Sequence, residues 1–82
     1  MPYHRKNIEK GVVGETSKIR EELEELLDAE EQQNPVVMLL EMSDILGAID
    51  MYLRKHHPTI SIVDLLMMSG TTISAFQDGT RS

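Results

Sequence analysis

Glu41-Met42-Ser43-Asp44-Ile45-Leu46-Gly47-Ala48 repeats, residue type for residue type, the pattern of Glu22-Leu23-Glu24-Glu25-Leu26-Leu27-Asp28-Ala29. Both octads read acid, apolar, any, acid, apolar, apolar, any, Ala. Each sets two carboxylates three residues apart beside an apolar stripe. Surface helices ordinarily keep acids away from the apolar face. Two departures from that rule, matched in register, need a physical reason.

Helical geometry sharpens the point. At about 100° per residue, Leu23, Leu26 and Leu27 fall within about 80° of Ile19. Glu22 lies about 60° to the other side, between Ala29 and Leu26, with Glu25 on the same flank. Glu21, Glu24 and Asp28 are expected to face solvent. On the second segment Met38, Met42, Ile45, Leu46, Ile49, Tyr52 and Leu53 form the stripe. Glu41 lies between Ala48 and Tyr52, and Asp44 is on the same flank. Two such helices packed antiparallel through their stripes face Glu22, Glu25, Glu41 and Asp44 across a small gap. Unneutralised, these acids repel one another and raise their own pKa values. A divalent cation removes the conflict. An all-oxygen donor set in a chain without cysteine suits Mg²⁺, or Mn²⁺, rather than Zn²⁺.

The flanking sequence supplies the hairpin. The first helix is expected to start between Glu15 and Ser17, with Thr16 or Ser17 capping, and to run to Gln33. Asn34-Pro35 ends it, because a residue before proline avoids the α region. Pro35 then opens a second helix, Val36 to Lys55, at a position where its missing N–H costs nothing. Leu40 and Met51 lie outside the main stripe and are candidates for a subunit interface or for contact with a third helix. His56-His57-Pro58 breaks the chain. His56 and His57 read as polar groups at a helix C-terminus rather than as ligands. Ser61, with Asp64 as capping-box partner, starts the third helix. That helix carries Ile62, Val63, Leu65, Leu66, Ile73, Phe76 and the core-filling pair Met67-Met68. A kink is expected at Gly70-Thr71-Thr72, and Gly79 is the stop. Residues 1–11 read as an irregular arm, able to lend Arg5 or Lys6 to a phosphate. Lys18 lies on the flank of Glu22 and Glu25, and Lys55 on that of Asp44. Both are surface ion-pair partners or phosphate contacts at the rim of a metal site. Arg81 is a loose terminal charge or an anion ligand.

At 82 residues the chain is expected to form one domain, residues 1–82. A chain this short buries only about 60–65% of its unfolded surface, a deficit that small domains often make up by oligomerising. The expected fold is therefore all-α: an antiparallel helical hairpin plus a third helix, a bundle completed by oligomerisation. The net charge of −6 argues against binding a nucleic acid polymer. No segment approaches the ~20 apolar residues of a membrane span. The absence of cysteine and of a signal-peptide pattern fits a cytoplasmic location.

The run Glu21-Glu22-x-x-Glu25, a helical spacer, then Glu41-x-x-Asp44 resembles the signature of the MazG-like all-α nucleoside triphosphate pyrophosphohydrolases. That superfamily includes phosphoribosyl-ATP pyrophosphohydrolases and all-α dUTPases. Gly14-Glu15, Lys18 to Glu22, Leu46-Gly47-Ala48-Ile49, Thr72, Ala75-Phe76 and Gly79-Thr80-Arg81 extend the likeness to short MazG-related proteins of phages and bacteria. The resemblance implies that Glu22, Glu25, Glu41 and Asp44 ligate Mg²⁺ and carry catalysis. It implies cleavage of a (deoxy)nucleoside triphosphate between its α- and β-phosphates, with Lys18, Lys55 and Arg81 holding the outer phosphates. It also implies a homo-dimer or tetramer with sites completed across the interface. Glu21, the first acid of the motif, is expected to be peripheral. Two alternatives stand beside this reading: a non-catalytic helical-bundle interaction protein, and a phosphoribosyl-ATP pyrophosphohydrolase-like enzyme. Apart from Tyr3, Tyr52 and Phe76, no aromatic residue is available to stack on a base.

Overall fold

In the computed structural model, which describes residues 6–79, three helices follow one another: α1 (Thr16–Glu31), α2 (Pro35–His56) and α3 (Ile62–Asp78). Arg5, the earlier part of the arm and Arg81 lie outside the described residues. There are no strands among the described residues, so the expected all-α class holds.

Each boundary has a local cause. Glu15 stands at the N-cap of α1 in extended conformation. Neither Thr16 nor Ser17 caps in the expected way. The Ser17 hydroxyl instead accepts the Val12 N–H at 3.0 Å, because the chain before the helix folds back over its first turn. α1 ends two residues earlier than expected. Asn34 N–H reaches the Ala29 carbonyl and Gln33 N–H the Glu30 carbonyl, with Gln33 at φ 55°. This is a Schellman ending, made with glutamine where glycine is usual. The Asn34 side chain then accepts from Val37 N–H at 3.2 Å and caps α2, with Pro35 in its first turn. Arg54, Lys55 and His56 fill the last turn of α2, where the helix dipole favours positive charge. The Ser61–Asp64 capping box starts α3, and Gly79, at φ 78°, closes it. α3 is continuous in secondary structure through Gly70-Thr71-Thr72.

α1 packs along α2 as the expected hairpin, whereas α3 touches α2 only, and lightly. The seam between α1 and α2 is not the leucine stripe. Buried residues are Glu21, Glu22, Asp28 and Ala29 on α1, and Val37, Glu41, Ala48 and Leu53 on α2. Leu23, Leu27, Met42 and Leu46, expected inside, are about half exposed. Glu21 and Asp28, expected in solvent, are buried. The wheel identified which residues share a face, but α1 is rolled so that Glu22 and Ala29, on the edge of the stripe, meet α2. On α3 only Ala75 is buried. Met67 and Met68, expected as core filling, are exposed, as are Val63, Leu66, Ile73 and Phe76. The Cα radius of gyration is 14.4 Å, against roughly 12 Å for a compact chain of this length.

Candidate metal centre and adjoining cavity

Glu22 and Glu25 on α1 and Glu41 and Asp44 on α2 converge. Each offers a carboxylate oxygen, and these oxygens all lie within 4.8 Å of one another. The i, i+3 spacing keeps each pair on one face, and the antiparallel hairpin opposes the two faces. Glu22 and Glu41 form the floor, 5% and 3% exposed, while Glu25 and Asp44 are progressively more open. Burial pushes the Glu22 carboxyl above its ordinary value, and neighbouring Glu25 pushes it further. Burial likewise raises Glu25, with Glu41 as the next cause. The paired shifts are the electrostatic signature of crowded carboxylates in a half-dry seam.

The donor set fits Mg²⁺ or Mn²⁺. It offers hard oxygen donors only, on two rigid helices and close enough to share one ion. Such a cation would offset the burial and the mutual repulsion that together raise Glu22 and Glu25.

An open cavity of about 570 Å³ adjoins the acids. Glu22 and Lys18 of α1 line it, as do Ser43, Asp44, Gly47, Ala48 and Met51 of α2. Val13, from the segment before α1, completes the wall. That segment is a strap. A turn from Val12 to Glu15 is closed by Glu15 N–H to the Val12 carbonyl at 2.9 Å. Gly14 takes φ 91° there, which a turn of this shape reserves for glycine. Glu15 pairs with Lys55, and with His56 Nε2 at 3.2 Å, tying the strap to the far end of α2.

The expected cations part company. Lys18 lies at the rim, 3.3 Å from Glu22 and 3.2 Å from Glu21. Lys55 does not line the cavity but is engaged with Glu15. Lys6 pairs with Glu31, at 2.7 Å, at the opposite end of α1. Arg81 is outside the described residues. His56 and His57 lie against the Tyr52 ring, with centroids 4.4 and 6.0 Å away, and take no part in the acid cluster.

Glu21, expected to be peripheral and to face solvent, lies outside the acid cluster but is buried. Its carboxylate is 3% exposed and accepts the Gly11 N–H at 2.8 Å, with Lys18 at 3.2 Å and Lys10 at 3.5 Å. Burial alone would raise this carboxyl, but the Gly11 amide and Lys18 outweigh it and hold it below its ordinary value. The available signal was glycine placement. Gly11 and Gly14, close before a helix, mark a chain that folds back on it. Of the cavity wall, Val13 carried no motif, Ser43 stood at an unconstrained position of the octad, and Gly47 entered only within the Leu46-to-Ile49 stretch.

Compared with known protein-family models, curated proteins and solved structures, the chain matches none.

Proposed function

We propose that this chain is a Mg²⁺-dependent nucleoside triphosphate pyrophosphohydrolase, cleaving a (deoxy)nucleoside triphosphate to the monophosphate and pyrophosphate. The observation that carries the reading is the convergence of Glu22, Glu25, Glu41 and Asp44 from two helices onto one point beside a cavity. The motif resemblance supplies the reaction, and the geometry is compatible with it.

Glu22, Glu25, Glu41 and Asp44 would hold the ion. Mg²⁺ supplies Lewis-acid neutralisation of charge on the phosphate oxygens and the leaving pyrophosphate. The chain's own work is positioning and proton transfer. Water adds to phosphorus, the bridging P–O bond between the α- and β-phosphates breaks, and pyrophosphate leaves with the bond's electrons. Glu25 and Asp44, the more exposed acids, are the pair from which one oxygen takes the water's proton. Lys18 meets the outer phosphates. The cavity walled by Val13, Ala48 and Met51 takes the organic part of the substrate.

The working form in this reading is a homo-oligomer. Supporting it are the half-exposed Leu23, Leu27, Met42 and Leu46, the nearly bare α3 and the expanded radius of gyration. Apolar exposure on this scale marks association surfaces. A cytoplasmic location accords with this function. Among the described residues no helix is long and apolar enough to cross a membrane.

The test is product analysis with Mg²⁺ and each common NTP and dNTP. Monophosphate plus pyrophosphate, abolished by chelation, is expected. Absence of turnover with every nucleotide would overturn the reading and favour a non-catalytic bundle.

A further inference from the structure

We propose that Glu21 is a positioning residue that holds the Lys18 ammonium at the rim and so keeps Glu22 available as a ligand. The inference rests on the metal reading of the four-acid centre.

Lys18 is shared between two carboxylates, 3.2 Å from Glu21 Oε1 and 3.3 Å from Glu22 Oε2. Only Glu22 belongs to the converging set; Glu21 does not. An ammonium on Glu22 and a divalent cation on Glu22 compete for the same carboxylate. When the cation binds, Lys18 needs somewhere else to put its charge. Without a second acceptor it would leave the rim or hold on to Glu22 and weaken metal binding.

Glu21 is built to be that acceptor. The oxygen that meets Lys18 also takes the Gly11 N–H at 2.8 Å. Gly11 packs directly on the helix: a Cβ there would collide with the Ser17 carbonyl and the Lys18 amide of the first turn of α1. A backbone donor packed this closely on α1 therefore holds the carboxylate from the strap side. Pinned there, Glu21 is restrained from swinging into the cluster as a fifth ligand. The strap, the Glu21 carboxylate, the Lys18 ammonium and Glu22 form one chain of contacts leading to the metal centre.

Sharing predicts a dependence that a simple staple does not. Glu21→Gln keeps an oxygen for the Gly11 N–H but removes the charge that attracts Lys18, so Lys18 passes wholly to Glu22. Calorimetric titration of Mg²⁺ should then show affinity lower by on the order of fivefold to tenfold than in the parent protein. Lys18→Met in the same chain should abolish that loss, so that K18M and E21Q/K18M bind Mg²⁺ alike. Amide exchange of the metal-free proteins checks the geometry separately. The Gly11 N–H should be protected in the parent and in E21Q, and exposed in E21A. An equal loss of Mg²⁺ affinity with and without Lys18, or no loss, would overturn the inference while leaving the metal centre standing. A parent protein that binds no Mg²⁺ would overturn the metal reading, and this inference with it.

Discussion

Glu22 on α1 and Glu41 on α2, both almost completely buried, bring carboxylate oxygens to within 4.8 Å of each other across the helix seam. Small domains rarely place two acids in the little interior they have. Here Ala29, Val37, Ala48 and Leu53 share the interior with them, while Leu23, Leu27, Met42 and Leu46 stay about half exposed. The hairpin gives part of its interior to charge and leaves most of its leucines and methionines for another surface.

That arrangement predicts an unusual pH profile for the metal-free protein. Glu22 and Glu25 have raised folded-state values, so the folded chain holds their protons more tightly than the unfolded chain. Their stabilising contribution is complete below the ordinary carboxyl value and is lost as pH rises through the raised values. Glu21 is lowered, so its contribution is present above the ordinary value and lost as pH falls through the lowered one. Metal-free stability should therefore decline as pH rises above the ordinary carboxyl range, and saturating Mg²⁺ should remove the decline. Melting curves between pH 5 and 8, with and without Mg²⁺, check this. A metal-free midpoint that climbs steadily to pH 7 would contradict it.

Gly47 offers a second check. A Cβ on Gly47 would meet nothing within 4 Å, yet the residue sits mid-helix and lines the cavity. A glycine there costs about 0.5–1 kcal/mol against alanine. Gly47→Ala should thus stabilise the fold by about that much while raising the KM for nucleotide, because the new methyl stands in the cavity. Denaturant melts and steady-state kinetics read the two effects separately. Unchanged KM would remove Gly47 from the substrate wall.

α3 is the place to test association. Leu66 and Ile73 are half exposed and seven residues apart, on one face. In a monomer, Leu66→Glu would change stability by no more than about 0.5 kcal/mol. In an oligomer it should dissociate the assembly and lower its melting point together. Sedimentation of the parent and L66E proteins distinguishes the cases.

The sequence made the three helices legible because their signals are local: Asn34-Pro35, Ser61 with Asp64, and Gly79 each act within a few residues. The four acids were legible because a repeated i, i+3 spacing needs only helical geometry and a hairpin to converge. The roll of α1 was not, because Ile19, Leu23, Leu26 and Leu27 make as good an inward face as Glu22 and Ala29 until the neighbour is known. Glu21 was hidden for the same reason. Its burial depends on Gly11 and the strap, ten residues back, which no helical wheel contains. α3 runs on through Gly70 because a glycine weakens a helix without breaking it.

The most direct test of the central claim is phosphorus NMR of the parent protein and Glu41→Gln, each with Mg²⁺ and nucleoside triphosphate. Glu41 lies at the floor of the centre, and glutamine preserves its shape while removing a charge. Nucleoside monophosphate and pyrophosphate should be the sole phosphorus products of the parent, with turnover lower by on the order of 10²-fold or more in E41Q. Diphosphate and orthophosphate as products, or parental turnover in E41Q, would contradict the account.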